Sequence, residues 1–317
     1  MSFLQSSSFP GKEANSFSPR DESKDELRKD NVYIKTEVMY GTEYPNSYLD
    51  IYYPGAENRP TYIYIYGGGF ISGEKNGGDP ISPNADLYMY MFDYIYKKGY
   101  NLISVNYCLS PQYRYPIQII QCLKSLEYLN KHASELHLNM NKIILGGGSA
   151  GATISSQIGM LFTSKEYLNL FNKVLEQKGY DKLKSLPLNK NQIKVLILEA
   201  PPMIINEMNE GTTILFQCWY GYDDIVNLTY SRLNHIVEYV TSDYYPTFIT
   251  AGNTDCYPED ALELKNKLQE LGVEYSYCYW DKDVEILNHG YMSSFQTSEH
   301  AKIALDQSLD FVRSQIN

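Results

Sequence analysis

Near the middle of the 317-residue chain, Leu145-Gly146-Gly147-Gly148-Ser149-Ala150-Gly151-Ala152 sets one serine among glycines and alanines. Two chemistries use such a stretch. Gly146-x-Gly148-x-x-Gly151 fits a loop whose backbone N–H groups cradle a dinucleotide pyrophosphate, whereas Gly147-x-Ser149-x-Gly151 fits a tight strand-to-helix turn that aims a serine hydroxyl. A dinucleotide loop opens an early βαβ unit and is followed about 20 residues later by an acidic residue at a strand end. Here the acids at that distance, such as Glu166 and Glu176, fall in a polar helical stretch. No Lys-Ser/Thr pair follows the glycines, so a P-loop is excluded as well. The nucleophile reading fits its surroundings. Lys142–Leu145 reads as a strand and Ala150 onward as a helix, so Ser149 sits on the turn, where neighbouring side chains must be very small.

A serine nucleophile needs a base, an acid to orient the base, and N–H donors for the developing oxyanion. Tyr66-Gly67-Gly68-Gly69-Phe70 follows a strand and offers closely spaced backbone N–H groups, to which the start of the helix adds that of Ala150. Ala251-Gly252-Asn253-Thr254-Asp255 ends a later strand with a carboxylate, and Asn288-His289-Gly290-Tyr291 places an imidazole in a loop after the last strand. His132 and His137 lie on a polar helix, and His235 and His300 stand in no motif. Asp255 has rivals in Glu199, Asp260, Asp281 and Asp283, and a strand-end Asp can also simply cap the next helix. Phe216, Trp219, Tyr220 and Tyr222 suit core packing, a lid or an acyl-pocket wall equally well.

The elements that must position these residues alternate between short apolar runs and amphipathic segments. Strands are expected at Val32–Tyr40, Ser47–Tyr53, Thr61–Tyr66, Asn101–Asn106, Lys142–Leu145, Ile193–Leu198, Thr247–Ala251 and Glu274–Trp280. The first two read as an antiparallel entry ribbon, and the rest as strands buried on both faces of a parallel sheet. Helices are expected at Ala85–Lys98, Ile117–Leu136, Ala150–Phe162, Glu259–Leu271 and Ala301–Ser314, with Gly272 stopping the fourth. Roughly eight strands in βα alternation imply one α/β domain over residues 32–317. Residues 1–31 are polar and read as an N-terminal arm or cap element. Insertions at 163–192 and 203–245 are long enough to build a small lid or pocket wall.

At this point the chain resembles the hormone-sensitive-lipase-like branch of the α/β-hydrolases. The H-G-G-G-F loop of that branch is matched by Tyr66–Phe70, and its Y-x-L-x-P…[FY]-P stretch by Tyr107-x-Leu109-x-Pro111 and Tyr115-Pro116. Its G-x-S-A-G elbow is matched by Gly147–Gly151 and its H-G-[FY] segment by His289–Tyr291. The resemblance runs from about Tyr33 to the C-terminus. It implies an α/β-hydrolase fold with a mostly parallel eight-stranded sheet, a Ser149-Asp255-His289 triad, and an oxyanion hole of the Gly68, Gly69 and Ala150 N–H groups. Tyr66, Gly67, Gly147 and Gly151 support those motifs. The implied activity is serine carboxylic-ester hydrolysis, with short acyl groups as the default. Cleavage of an arylformamide or amide by the same triad is one alternative, and a non-catalytic ligand-binding protein is another. Three positions depart from the pattern. Tyr66 replaces the His that steadies the oxyanion loop, Gly148 replaces the Asp or Glu common before the nucleophile, and Gln112 replaces a Glu. A tyrosine hydroxyl at 66 can make a similar hydrogen bond.

Bulk properties narrow the partners. A formal charge of −11 and a pI near 5.0 argue against nucleic acid and anionic membranes. No apolar run approaches the ~18 residues of a membrane span. Five scattered cysteines without C-x-x-C spacing point to reduced thiols rather than to disulfides or a zinc site. No secretory signal is evident at the N-terminus, and a cytoplasmic location is the expectation. The expected partner is a small-molecule ester. No metal or organic cofactor is expected, and a homo-oligomer is compatible with the sequence. The 31 tyrosines are read as coding bias rather than as a binding surface.

Overall fold

Short apolar runs flanked by amphipathic segments can satisfy their backbone groups and cover both faces by forming a sheet between helices. The computed structural model, which describes residues 14–29, 31–53, 58–77, 87–203, 210–222 and 232–316, has this arrangement. Its strands are β1 Asp25–Leu27, β2 Tyr33–Met39, β3 Tyr48–Tyr53, β4 Pro60–Ile65, β5 Asn101–Val105, β6 Asn139–Gly148, β7 Ile193–Glu199, β8 Thr247–Thr250 and β9 Tyr275–Cys278. They form one sheet in the order β1-β2-β3-β5-β4-β6-β7-β8-β9. β1, β2 and β3 pair antiparallel, as does β3 with β5, and every pair from β5 to β9 is parallel. The mostly parallel sheet and the antiparallel entry ribbon are as expected. The additional strand is β1, whose three residues are all exposed. Its polar sequence carries no burial pattern, and backbone pairing with β2 is what makes it a strand.

The helices are α1 Leu87–Lys97, α2 Ile117–Lys131, α3 Ala150–Thr163, α4 Lys165–Gln177, α5 Glu210–Tyr220, α6 Pro258–Leu271 and α7 Glu299–Ile316. Pro258 opens α6, and Gly272, at φ 68°, closes it in the left-handed conformation. α4 lies within the 163–192 insertion. Ser164 caps it by accepting the Tyr167 N–H, and Tyr167, Phe171, Val174 and Leu175 bury one stripe of it. α5 lies within the 203–245 insertion, of which residues 204–209 and 223–231 fall outside the described residues. So do residues 1–13 and 30 of the arm and residues 85–86 of the first expected helix. Among the described residues, no helix is long and apolar enough to cross a membrane.

The strand order reverses beside β4. The chain runs from β4 to β5 on one side and then crosses back to β6 on the other, and the crevice at such a switch point is where open α/β sheets bind ligands. α5 is fastened next to this point by aromatic packing. The Phe70 and Trp219 rings stack 3.6 Å apart at 7°, and Tyr115 meets Trp219 edge-on at 5.2 Å. Trp219 Nε1–H donates to Gln118 Oε1 at 3.0 Å, and the Trp219 carbonyl accepts the Tyr115 N–H at 2.8 Å. Trp219→Ala should therefore lower unfolding free energy by about 3–5 kcal/mol, while Tyr222→Ala, at an exposed ring, should change it by less than about 0.5 kcal/mol. Urea titration of both variants checks this.

Candidate active site

β4 and β6 are parallel neighbours in register, with Ile65 opposite Gly147, so the loop after β4 and the turn after β6 leave the sheet at the same edge. Ser149 occupies that turn at φ 53°, ψ −122°, as the N-cap of α3. A non-glycine residue there stores about 1–3 kcal/mol of strain, which its surroundings must hold. Ser149 N–H donates to the Glu199 carbonyl at 2.7 Å, and the Thr153 N–H donates to the Ser149 carbonyl at 3.0 Å. A Cβ on Gly147 or on Gly151 would run into the Ile65 carbonyl oxygen, so both glycines are what lets the turn lie against β4. Ala150 is the first residue of α3, and its N–H has no acceptor within the helix.

The loop after β4 lies against this turn. A Cβ on Gly67 would stand 2.8 Å from the Gly148 carbonyl oxygen and 3.3 Å from Ser149 Cβ. Gly68, Gly69 and Phe70 follow at φ 109°, 61° and 67°. Phe70 is not a glycine, and its stacking on Trp219 supports that backbone. Tyr66 does steady the loop, through a reciprocal pair with Tyr107. The Tyr66 hydroxyl donates to the Tyr107 carbonyl and the Tyr107 hydroxyl to the Tyr66 carbonyl, each at 3.1 Å, with the rings stacked 4.3 Å apart. Burial pushes both phenol pKa values well up, so the hydroxyls stay neutral donors.

Asp255 and His289 come together from the turns after β8 and β9. His289 Nδ1 lies 2.8 Å from Asp255 Oδ1 and 2.9 Å from Oδ2. The Asp255 side chain is fully covered, while 43% of the His289 side chain is exposed. Gly252 makes the approach feasible, because a Cβ there would strike the Leu287 and Asn288 carbonyls. Asn253 then locks the two turns together. Its Nδ2 donates to the Trp280 and Glu285 carbonyls at 3.1 and 2.7 Å, and its Oδ1 accepts the Leu287 N–H at 3.0 Å. By sequence alone Asn253 looks like an ordinary turn residue. Burial works against a charged His289, but the hydrogen bond and charge of Asp255 and the charge of Glu199 outweigh it and raise the imidazole pKa.

The rival acids bond other groups or face solvent. Asp260 Oδ2 accepts the Met203 N–H at 2.6 Å, and Asp281 and Asp283 are exposed. Glu199, at the end of β7, is 4% exposed, and its Oε1 accepts the Met292 N–H at 2.7 Å. Burial pushes its carboxyl pKa up to about 7, against the lowering effects of the Met292 N–H and of His289. Among the described residues, one acidic group is tight enough to share a cation, formed by Asp21, Glu37 and Glu74. Lys75 Nζ already lies 2.5 Å from Glu37, 3.4 Å from Asp50 and 3.8 Å from Glu74.

A serine on a strained turn before a helix, beside a glycine loop and on the same sheet as an Asp–His pair, defines an α/β-hydrolase. The chain belongs to the BD-FAE family, whose model matches residues 49–268. Acetyl esterase of Salmonella paratyphi B is 34% identical over 114 residues, which make up 36% of this chain and 32% of that protein. The matched stretch thus spans about a third of that relative's length. Esterase B of Lactobacillus rhamnosis, solved with a C4-C4 SN3 tributyrin phosphonate inhibitor, superposes with a TM-score of 0.71 at 20% identity, covering 92% of this chain and 88% of that one. Esterase LipW of Mycobacterium marinum gives 0.67 at 16% identity, covering 90% and 82%. These likenesses establish the fold.

The raised Glu199 pKa has a consequence for stability. A carboxyl that titrates near 7 when folded and near 4.5 when unfolded favours the neutral form in the fold, so its cost appears as pH rises through that window. Glu199→Gln should therefore raise Tm relative to the parent protein at pH 8, with the gain shrinking toward pH 5. Thermal melts at the two pH values check the sign.

Proposed function

We propose that the protein is a serine hydrolase of carboxylic esters with short acyl chains. The observation that carries this reading is the covered Asp255 bonded to a solvent-facing His289 through Nδ1, which leaves Nε2 as the catalytic nitrogen. In the reaction, His289 Nε2 takes the Ser149 hydroxyl proton as Oγ attacks the ester carbonyl carbon. Asp255 holds the Nδ1–H and stabilises the imidazolium. The N–H groups of Gly68, Gly69 and Ala150 receive the negative oxygen, each worth ~3 kcal/mol of barrier by comparison with measured oxyanion donors. The tetrahedral centre collapses, the C–O bond breaks, and the alcohol leaves with the proton from His289. Water, deprotonated by the same imidazole, then attacks the acyl-enzyme, and the acid departs as Ser149 regains its proton.

Three observations support a short acyl group. A Cβ on Gly69 would stand 2.9 Å from Leu215 Cδ2, so α5 presses an aliphatic side chain onto the oxyanion loop. The partial relative is an acetyl esterase, and the esterase B structure carries a tributyrin phosphonate.

Hydrolysis of p-nitrophenyl acetate, butyrate, octanoate and palmitate tests the reading. Rates should fall with chain length, and Ser149→Ala should lower kcat by ~10⁶-fold. Asp255→Asn should lower it by ~10⁴-fold, because the amide cannot hold the required tautomer. Equal rates in parent and Ser149→Ala, or no turnover in either, would overturn it.

A further inference from the structure

The glycines of the nucleophile turn are not all there for the same reason. On Gly147 and Gly151, a side chain would collide with the main chain of β4. Gly148 is outside the positive-φ residues, and a Cβ there would meet two side-chain ends, Glu199 Oε2 at 3.3 Å and Tyr64 Oη at 3.3 Å. Nothing in the backbone demands glycine at 148. What occupies the space is the carboxyl of Glu199, arriving from the adjacent strand with Glu199 paired opposite Gly148.

That carboxyl is also tied to the other half of the site. The Glu199 carbonyl accepts the Ser149 N–H at 2.7 Å, and its Oε1 accepts the Met292 N–H at 2.7 Å, three residues beyond His289. One residue therefore bonds both the nucleophile turn and the loop that carries the base. We propose that Glu199 is a positioning residue for His289, its carboxyl filling the space left by Gly148 and holding the His289–Met292 loop against the Ser149 turn. The proposal rests on the ester-hydrolase reading above.

The titratable groups that face Glu199 are Tyr62 and Tyr64 of β4, Tyr88 of α1, Tyr291, Asp255 and His289. Of these, the one that becomes a cation is His289. An ionised Glu199 thus adds to Asp255 in stabilising the imidazolium. Position and charge separate experimentally, since glutamine keeps an oxygen for the Met292 N–H and loses the charge.

The test is kcat, KM and the pH–rate profile on p-nitrophenyl acetate for the parent, Glu199→Gln, Glu199→Ala, Gly148→Asp and the double variant Gly148→Asp/Glu199→Ala. Glu199→Ala should lose about 10²-fold in kcat with KM little changed, as expected when a base is misplaced. Glu199→Gln should keep kcat within about threefold at the plateau and move the acidic limb of kcat/KM to lower pH, since that limb reports the free enzyme's base. The double variant returns a carboxyl from the turn itself and should recover about tenfold of the Glu199→Ala loss, whereas Gly148→Asp alone crowds two carboxyls and should be impaired. Full activity in Glu199→Ala, or an unmoved acidic limb in Glu199→Gln together with no recovery in the double variant, would overturn the proposal. Should Glu199→Ala not fold, Glu199→Gln and the double variant decide the matter. A parent protein that neither turns over the ester nor labels at Ser149 with a fluorophosphonate would defeat the hydrolase reading instead, whatever Glu199 does.

Discussion

The site depends on how closely two parallel strands let their loops approach. Ile65 at the end of β4 lies opposite Gly147 near the end of β6, and its carbonyl oxygen stands where a Cβ of Gly147 or Gly151 would be. Removing those two side chains brings the Ser149 turn down onto β4, and the Gly67 backbone then meets Ser149 directly. The strand order reverses at β4, the kind of switch point at which open α/β sheets bind ligands. A larger residue at 147 or 151 would separate the serine from the glycine loop, and the rest of the scaffold could not restore the contact.

Strain at Ser149 and Phe70 persists because surrounding packing over-determines it. Under the loop, Tyr66 and Tyr107 exchange hydrogen bonds between side chain and main chain while their rings stack. Above it, Phe70 lies on Trp219, which is itself bonded to Gln118. The loop is gripped between two aromatic pairs, so α5 supports the backbone that would bind an oxyanion as well as walling it. Stacked aromatics suit this task because they carry large contact area on few rotatable bonds.

Charge at the candidate site is arranged around a covered carboxyl and a partly exposed imidazole. Asp255 is enclosed, and His289 is partly open to solvent with its Nδ1 held by the carboxylate. Glu199 adds a second carboxyl beneath, kept partly neutral near pH 7 by burial. The two acids differ in environment. Asp255 shares its charge with a ring N–H, whereas Glu199 bonds a backbone N–H in the interior.

Much of this was legible in the residues. The Ser149 turn, the Tyr66–Phe70 loop and the order of Ser149, Asp255 and His289 could be read because each needs residue types that chance seldom supplies at that spacing. The parallel sheet was legible from apolar runs such as Ile143–Leu145 and Val195–Leu198, since burial on both faces leaves a composition signal. β1 was not legible, because a three-residue polar strand is defined by its partner's backbone rather than by its own side chains. Tyr66 could be flagged as a departure, but its bond to Tyr107 joins residues 41 apart in the chain. Asn253 looked like a turn residue, and its role emerged when the turns after β8 and β9 packed together. Glu199 could be named only as a rival to Asp255, and Gly148 only as a missing acid. Tertiary structure decided both, because whether a carboxyl orients a base, caps a helix or braces a loop depends on what the fold sets within 3 Å of its oxygens, and local spacing carries no record of that distance.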